Sequence, residues 1–144
     1  MLVPVWPFNE PGLGRRGAPP RVDERLLAPG AQHEVFDGVL VDVPPADELD
    51  TFRHEKLGAL LESHVAAELQ IAINMLTRTS ETSDFATDVS VYPRAPDPHT
   101  EGRQLEQLAF EVCDGESLSH AARKAGKLAE RGVRRVFAID VERR

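Results

Sequence analysis

From Glu34 onward the chain alternates between stretches of two-residue and helical periodicity. HEVFDGVLVDV sets Asp37–Gly38 between β-branched and aromatic residues, which predicts a hairpin. In FRHEKLGALLESHVAAE, Leu57, Leu60, Leu61 and Val65 recur at helical spacing and predict an amphipathic helix over residues 52–68. Three β-like runs follow, at 69–76, 85–92 and 106–113, the last two separated by the Pro- and Gly-containing loop PRAPDPHTEGRQ. Leu118, Ala121, Ala125, Leu128 and their neighbours then form the apolar face of a second helix. Ser117 is its expected N-cap, and Gly132 stands just past its end. VRRVFAIDV supplies a final strand, read as buried. The order predicts an α/β fold of the mixed-sheet (α+β) kind, a β-hairpin followed by helix, three strands, helix and strand.

The first thirty residues behave differently. They hold 6 of the 11 prolines and 4 of the 10 glycines, and neither period survives there. Residues 1–30 are therefore read as an irregular arm and 31–144 as one domain, with Trp6 and Phe8 as the arm's candidate anchors. The arm has no apolar signal-peptide core, and no internal repeat is present. A single cysteine among 144 residues leaves no disulfide framework and no CxxC zinc site. Together these point to a cytoplasmic chain with no membrane span.

Charge first argues against a polyanionic partner, since the formal net charge is −7. It is unevenly spread. Residues 1–122 carry 9 basic and 21 acidic side chains, whereas residues 123–144 carry 8 basic and 3 acidic ones. A solvated helix face with a basic tail and a surface for nucleic acid both fit that run.

Two carboxylates stand inside apolar strands. Glu111 lies in LAFEVC and Asp88 in FATDVSVY. A buried, unpartnered carboxylate costs several kcal/mol, so each position needs a reason. If the strands are neighbours the two side chains can converge, and two carboxylates suit Mg²⁺, which keeps several waters. The competing structural reading has Asp88 opening a turn and Glu111 pairing with a buried Arg. On the second helix Lys124 falls at the flank of the apolar stripe, within reach of such a site, and Lys127 nearly opposite. Covering apolar surface with its stem is the other reading of Lys124.

This arrangement resembles the PD-(D/E)XK nuclease superfamily, the restriction-endonuclease-like fold, and more narrowly its Uma-type restriction endonuclease family. HEVFDGVLVD, His54 at a helix start, TDVSVYP, FEVCDGESL and ARKAGKLAERGVRRVFAID carry the resemblance, over residues 33–141. It implies a divalent-metal-dependent endonuclease acting on DNA phosphodiester bonds, with Asp88, Glu111 and Lys124 as catalytic residues. Mg²⁺ or Mn²⁺ would be held by Asp88, Glu111 and the carbonyl of Val112. The superfamily's lysine two residues beyond the Glu is Cys113 here. In the Uma-type group the lysine sits on the following helix, the position of Lys124, with Lys127 as fallback. Glu68, read as inward on the first helix, and His54 are accessory candidates. The alternative is a catalytically inactive module of the same fold that binds nucleic acid or a protein partner. A homodimer is left open. Family members continue past the last strand, so a fragment ending at Arg144 is also open.

Other chemistries find little support. The five histidines have no zinc-ligand spacing on one element, and neither a GxSxG elbow nor a GxxxxGK[ST] loop is present. Cys113 reads as a small core residue.

Overall fold

The computed structural model describes residues 3–4, 19–28, 30–44, 46–113 and 118–141. The expected cap Ser117 and the arm residues Trp6 and Phe8 lie outside them, as do Arg143 and Arg144. The elements are β1 (Val3–Pro4), β2 (His33–Phe36), β3 (Val39–Asp42), α1 (Glu48–Glu62), β4 (Leu69–Ser80), β5 (Ser83–Pro93), β6 (Leu108–Cys113), α2 (Leu118–Arg131) and β7 (Arg135–Asp140). They form a mixed α/β fold, seven strands in one sheet with two helices.

Local chemistry explains the boundaries. Asp37 and Gly38 both adopt positive φ, 51° and 80°, the type I′ geometry that suits the twist of the β2–β3 hairpin. The arm was expected to be irregular, yet Val3–Pro4 pairs with β3. Helix α1 starts before the predicted Phe52, because the Asp47 side chain caps the N–H of Asp50 at 2.8 Å. It also stops before the predicted residue 68. Ser63 Oγ donates to the Leu60 carbonyl at 2.8 Å, drawing that acceptor out of the helical ladder. Glu68 therefore lies in an exposed turn rather than on an inward helix face. β4 and β5 run longer than predicted and meet at a tight turn, Glu81–Thr82.

The core gathers Phe36, Phe85, Ala109, Leu128 and Val133, with the Phe36 and Phe85 rings stacked at 4.8 Å. Leu128 anchors α2 from above. The helix ends at Gly132, whose φ of 119° lets the N–H groups of Gly132 and Val133 both return to the Leu128 carbonyl, at 3.1 and 3.0 Å. Gly58 brings α1 close to β4, since a Cβ there would meet Ile73 at 3.3 Å. β7 was expected to be buried. Among the described residues it pairs only with β6, and Phe137 and Ile139 are 41% and 36% exposed.

One feature of the sheet positions the site. β4 lies along one edge of β5 from Leu69↔Pro93 to Ser80↔Ser83. The opposite edge is shared: β2 meets it at Asp84, and β6 meets it at Val89–Val91. Between these contacts β2 and β6 diverge and leave a fork at Phe85–Asp88. Ala86 turns both its backbone groups into the fork, where side chains take the place of a strand.

Candidate functional site

The fork opens into a cavity of about 670 Å³. Its floor is read from the strand register. Ser90↔Ala109 and Val89↔Phe110 set Glu111 opposite Asp88, one step beyond the last paired residues. The two carboxylates are cross-strand neighbours on one face, and both line the cavity. Lys124 enters from α2, His54 from α1 and Glu34 from β2.

Three residues fill the fork. Ala86 N–H donates to Glu34 Oε1 at 3.1 Å, and Lys124 Nζ donates to the Ala86 carbonyl at 2.8 Å. The same ammonium lies 3.1 Å from Glu34 Oε1 and 3.4 Å from Glu111 Oε1. The Glu111 contact is close enough for charge attraction, but it is not aligned as a hydrogen bond, and Glu111 Oε1 is buried without one. Lys124 is only 6% exposed and Glu111 7%. Burial would lower the Lys124 pKa, but Glu111 and Glu34 outweigh it and hold the ammonium charged. At Glu111 burial wins over the attraction of Lys124, and the carboxyl is pushed up to about 8.

Asp88 behaves oppositely. Burial alone would raise it, but His54, the Val112 N–H and the nearby ammonium together hold it below the usual carboxylate range. Its Oδ2 accepts from Val112 N–H at 2.7 Å and lies 3.4 Å from His54 Nε2. The neighbouring Asp88 carboxylate in turn raises the His54 pKa, against the lowering effect of burial. The N–H and C=O of one strand residue point to the same edge, so the Val112 carbonyl turns toward β5 as well. His120 lies 3.6 Å from Glu34 Oε2, and burial, then Lys124, lowers its pKa.

Asp88, Glu111, Lys124, His54 and Val112 thus line one cavity. Lys127 does not join them; it bonds Asp37 across the hairpin turn at 2.6 Å. Glu68 stays apart in its turn. Glu34, at the start of the β2 run, was not among the expected site residues; its place here follows from the position of β2 in the sheet. Among the described residues, the part of the basic run on α2 is engaged internally. Arg123 lies over the Phe36 ring at 4.7 Å, and Arg131 donates to the carbonyls of Pro20 and Arg78.

Among the described residues no three His, Cys, Asp or Glu side chains gather as a ready metal cage. Two adjacent carboxylates, one with a buried oxygen lacking a hydrogen bond, nonetheless fit a hard divalent cation that completes its shell with a backbone carbonyl, water and substrate oxygens. No helix among the described residues is long and apolar enough to cross a membrane. The chain matches no protein-family model, no curated protein and no solved structure.

Proposed function

We propose that this chain is a divalent-metal-dependent endonuclease of the restriction-endonuclease-like kind, hydrolysing phosphodiester bonds in DNA. The reading rests above all on one observation: Asp88, Glu111 and Lys124, from two adjacent strands and a helix, line one cavity at a break in the sheet. The observed order of hairpin, helix, three strands, helix and strand supports it as well.

Asp88 and Glu111, with the Val112 carbonyl, would hold Mg²⁺ or Mn²⁺, which supplies Lewis-acid activation of water and screening of the phosphate charge. The protein's own residues have separable tasks. His54 and the Val112 N–H keep Asp88 ionised and fix its orientation. Glu34 and the Ala86 carbonyl lock the Lys124 ammonium toward Glu111. From there Lys124 orients the attacking water or stabilises negative charge growing on the phosphate oxygens. Cys113, at the superfamily's usual lysine position, is buried and lines the same cavity. The ammonium beside Glu111 comes from Lys124 instead.

Nicking of supercoiled plasmid in Mg²⁺ or Mn²⁺ is the test, with Glu111→Ala and Lys124→Ala beside the unmodified chain. The expected result is metal-dependent nicking that both substitutions abolish. Nicking that persists in Glu111→Ala overturns the site. Binding of DNA without cleavage by the unmodified chain favours the inactive binding module.

A further inference from the structure

Resting on the nuclease reading, we propose that Asn74 is a substrate contact, its carboxamide donating to an oxygen of the scissile phosphate. Asn74 lies in the interior of β4, yet its φ is 54°, the left-handed region that a strand residue does not normally enter. The pairs Ile73↔Val89 and Met75↔Thr87 bracket it and set it opposite Asp88. Asn74, Asp88 and Glu111 therefore form one row across three adjacent strands. The next row, Leu76, Ala86 and Cys113, lines the cavity too, so the register and the cavity agree on which face is the floor.

Within this row Asn74 is the neutral member. Asp88 holds the Val112 N–H and faces His54, and Glu111 faces Lys124. Asn74 is exposed to the cavity, and its carboxamide makes no side-chain hydrogen bond among the described residues. Asn tolerates positive φ better than most residues, but glycine does so at less cost, and glycine would suffice if only the backbone shape mattered. A distorted strand residue beside a site is a known way of aiming a side chain. What this row lacks for a phosphodiester is a neutral hydrogen-bond donor, because two carboxylates repel the anion. The carboxamide NH₂ supplies it, as asparagine does in many phosphate contacts.

Asn74→Gly separates the side chain from the backbone, since glycine keeps φ near 54° without strain. Cleavage of a labelled DNA oligonucleotide in Mg²⁺ and the melting temperature are measured on the full chain. The expected result is a kcat/KM about 10- to 100-fold lower, the size of a lost hydrogen bond to a charged group, at an unchanged or higher melting temperature. Asn74→Asp, which adds a third carboxylate to the row, should lose more. An Asn74→Gly rate equal to that of the unmodified chain overturns the inference and leaves the nuclease reading standing. A rate loss matched by a collapse in melting temperature overturns it as well, because the side chain is then structural. An unmodified chain that cuts nothing overturns the nuclease reading, and this inference with it.

Discussion

The ammonium of Lys124 donates a 2.8 Å hydrogen bond to the carbonyl of Ala86, a backbone group that faces away from β4 and that neither β2 nor β6 pairs. A side chain from α2 thus substitutes for a strand where β2 and β6 part from β5. The bond joins stability to the proposed site, since the same nitrogen lies 3.4 Å from Glu111.

Replacing Lys124 by Ala removes the buried cation between Glu34 and Glu111 and leaves the partly buried Ala86 carbonyl without its side-chain donor. The expected loss is about 3–5 kcal/mol, the usual cost of breaking a buried ion pair from one side. Urea unfolding near neutral pH measures it. A loss below about 1 kcal/mol would mean that solvent, not Lys124, satisfies these groups.

Glu34→Gln keeps an acceptor for the Ala86 N–H but removes one charge from beside Lys124. It should cost less than Lys124→Ala, about 1–3 kcal/mol, the range of a charged hydrogen bond. Activity should fall too, because the ammonium loses the partner that fixes it. Equal stability with full activity would remove Glu34 from the site.

Stability should fall as the pH rises from about 5 to about 8 in the absence of metal. Glu111 ionises near 4.5 in the unfolded chain and near 8 in the folded one, so across that interval the folded state holds a proton that the unfolded state releases. His54 acts in the same direction. Its pKa is raised on folding, so its contribution is complete below the unfolded value and is lost as the pH climbs through the folded one. Asp88 works at the other end, losing its contribution as the pH drops through its lowered value. Thermal melts in EDTA should show the fall, and Glu111→Gln should flatten much of it. A flat profile in the unmodified chain contradicts the assignment.

Added Mg²⁺ should raise the melting temperature, and by more at pH 8 than at pH 6, because the cation competes with the Glu111 proton. At a hundredfold excess over Kd the gain is about 2.7 kcal/mol. Chelation should reverse it, and Glu111→Gln should not respond. A pH-independent gain that survives in Glu111→Gln would place the cation elsewhere.

Lys127→Ala is expected to be nearly silent. Its partner Asp37 is 63% exposed, and pairs of that kind are worth under about 1 kcal/mol. Cleavage should persist at the unmodified rate. Loss of cleavage without loss of stability would move the catalytic assignment toward Lys127.

The order of elements could be read from periodicity, and so could the pairing of Asp88 with Glu111, because alternation and strand adjacency are local or nearly local properties. The boundaries of α1 could not. They follow from the Asp47 cap and from Ser63 turning back on Leu60, side-chain bonds that compete with an apolar pattern the sequence continues to Val65. Burial of β7 was misjudged because an apolar run does not say whether a further strand covers it. Glu34 escaped notice because its role depends on where β2 and β6 part from β5, a property of the whole sheet. Asn74 was hidden for a similar reason, since nothing in LQIAINML announces a left-handed residue.

The split in the sheet also has a consequence for the order of assembly. β4 and β5 are joined by two residues and can zip on their own, whereas the fork closes only when β2 and α2, distant in sequence, arrive together. Closing such long loops is entropically slow, and contacts that depend on it are the readiest to open again. The amide of Ala86, bonded to Glu34 rather than to a strand, should therefore exchange its hydrogen faster than its neighbours on the β4 side. The proposed site would come into being last on folding and be the first part lost on partial opening.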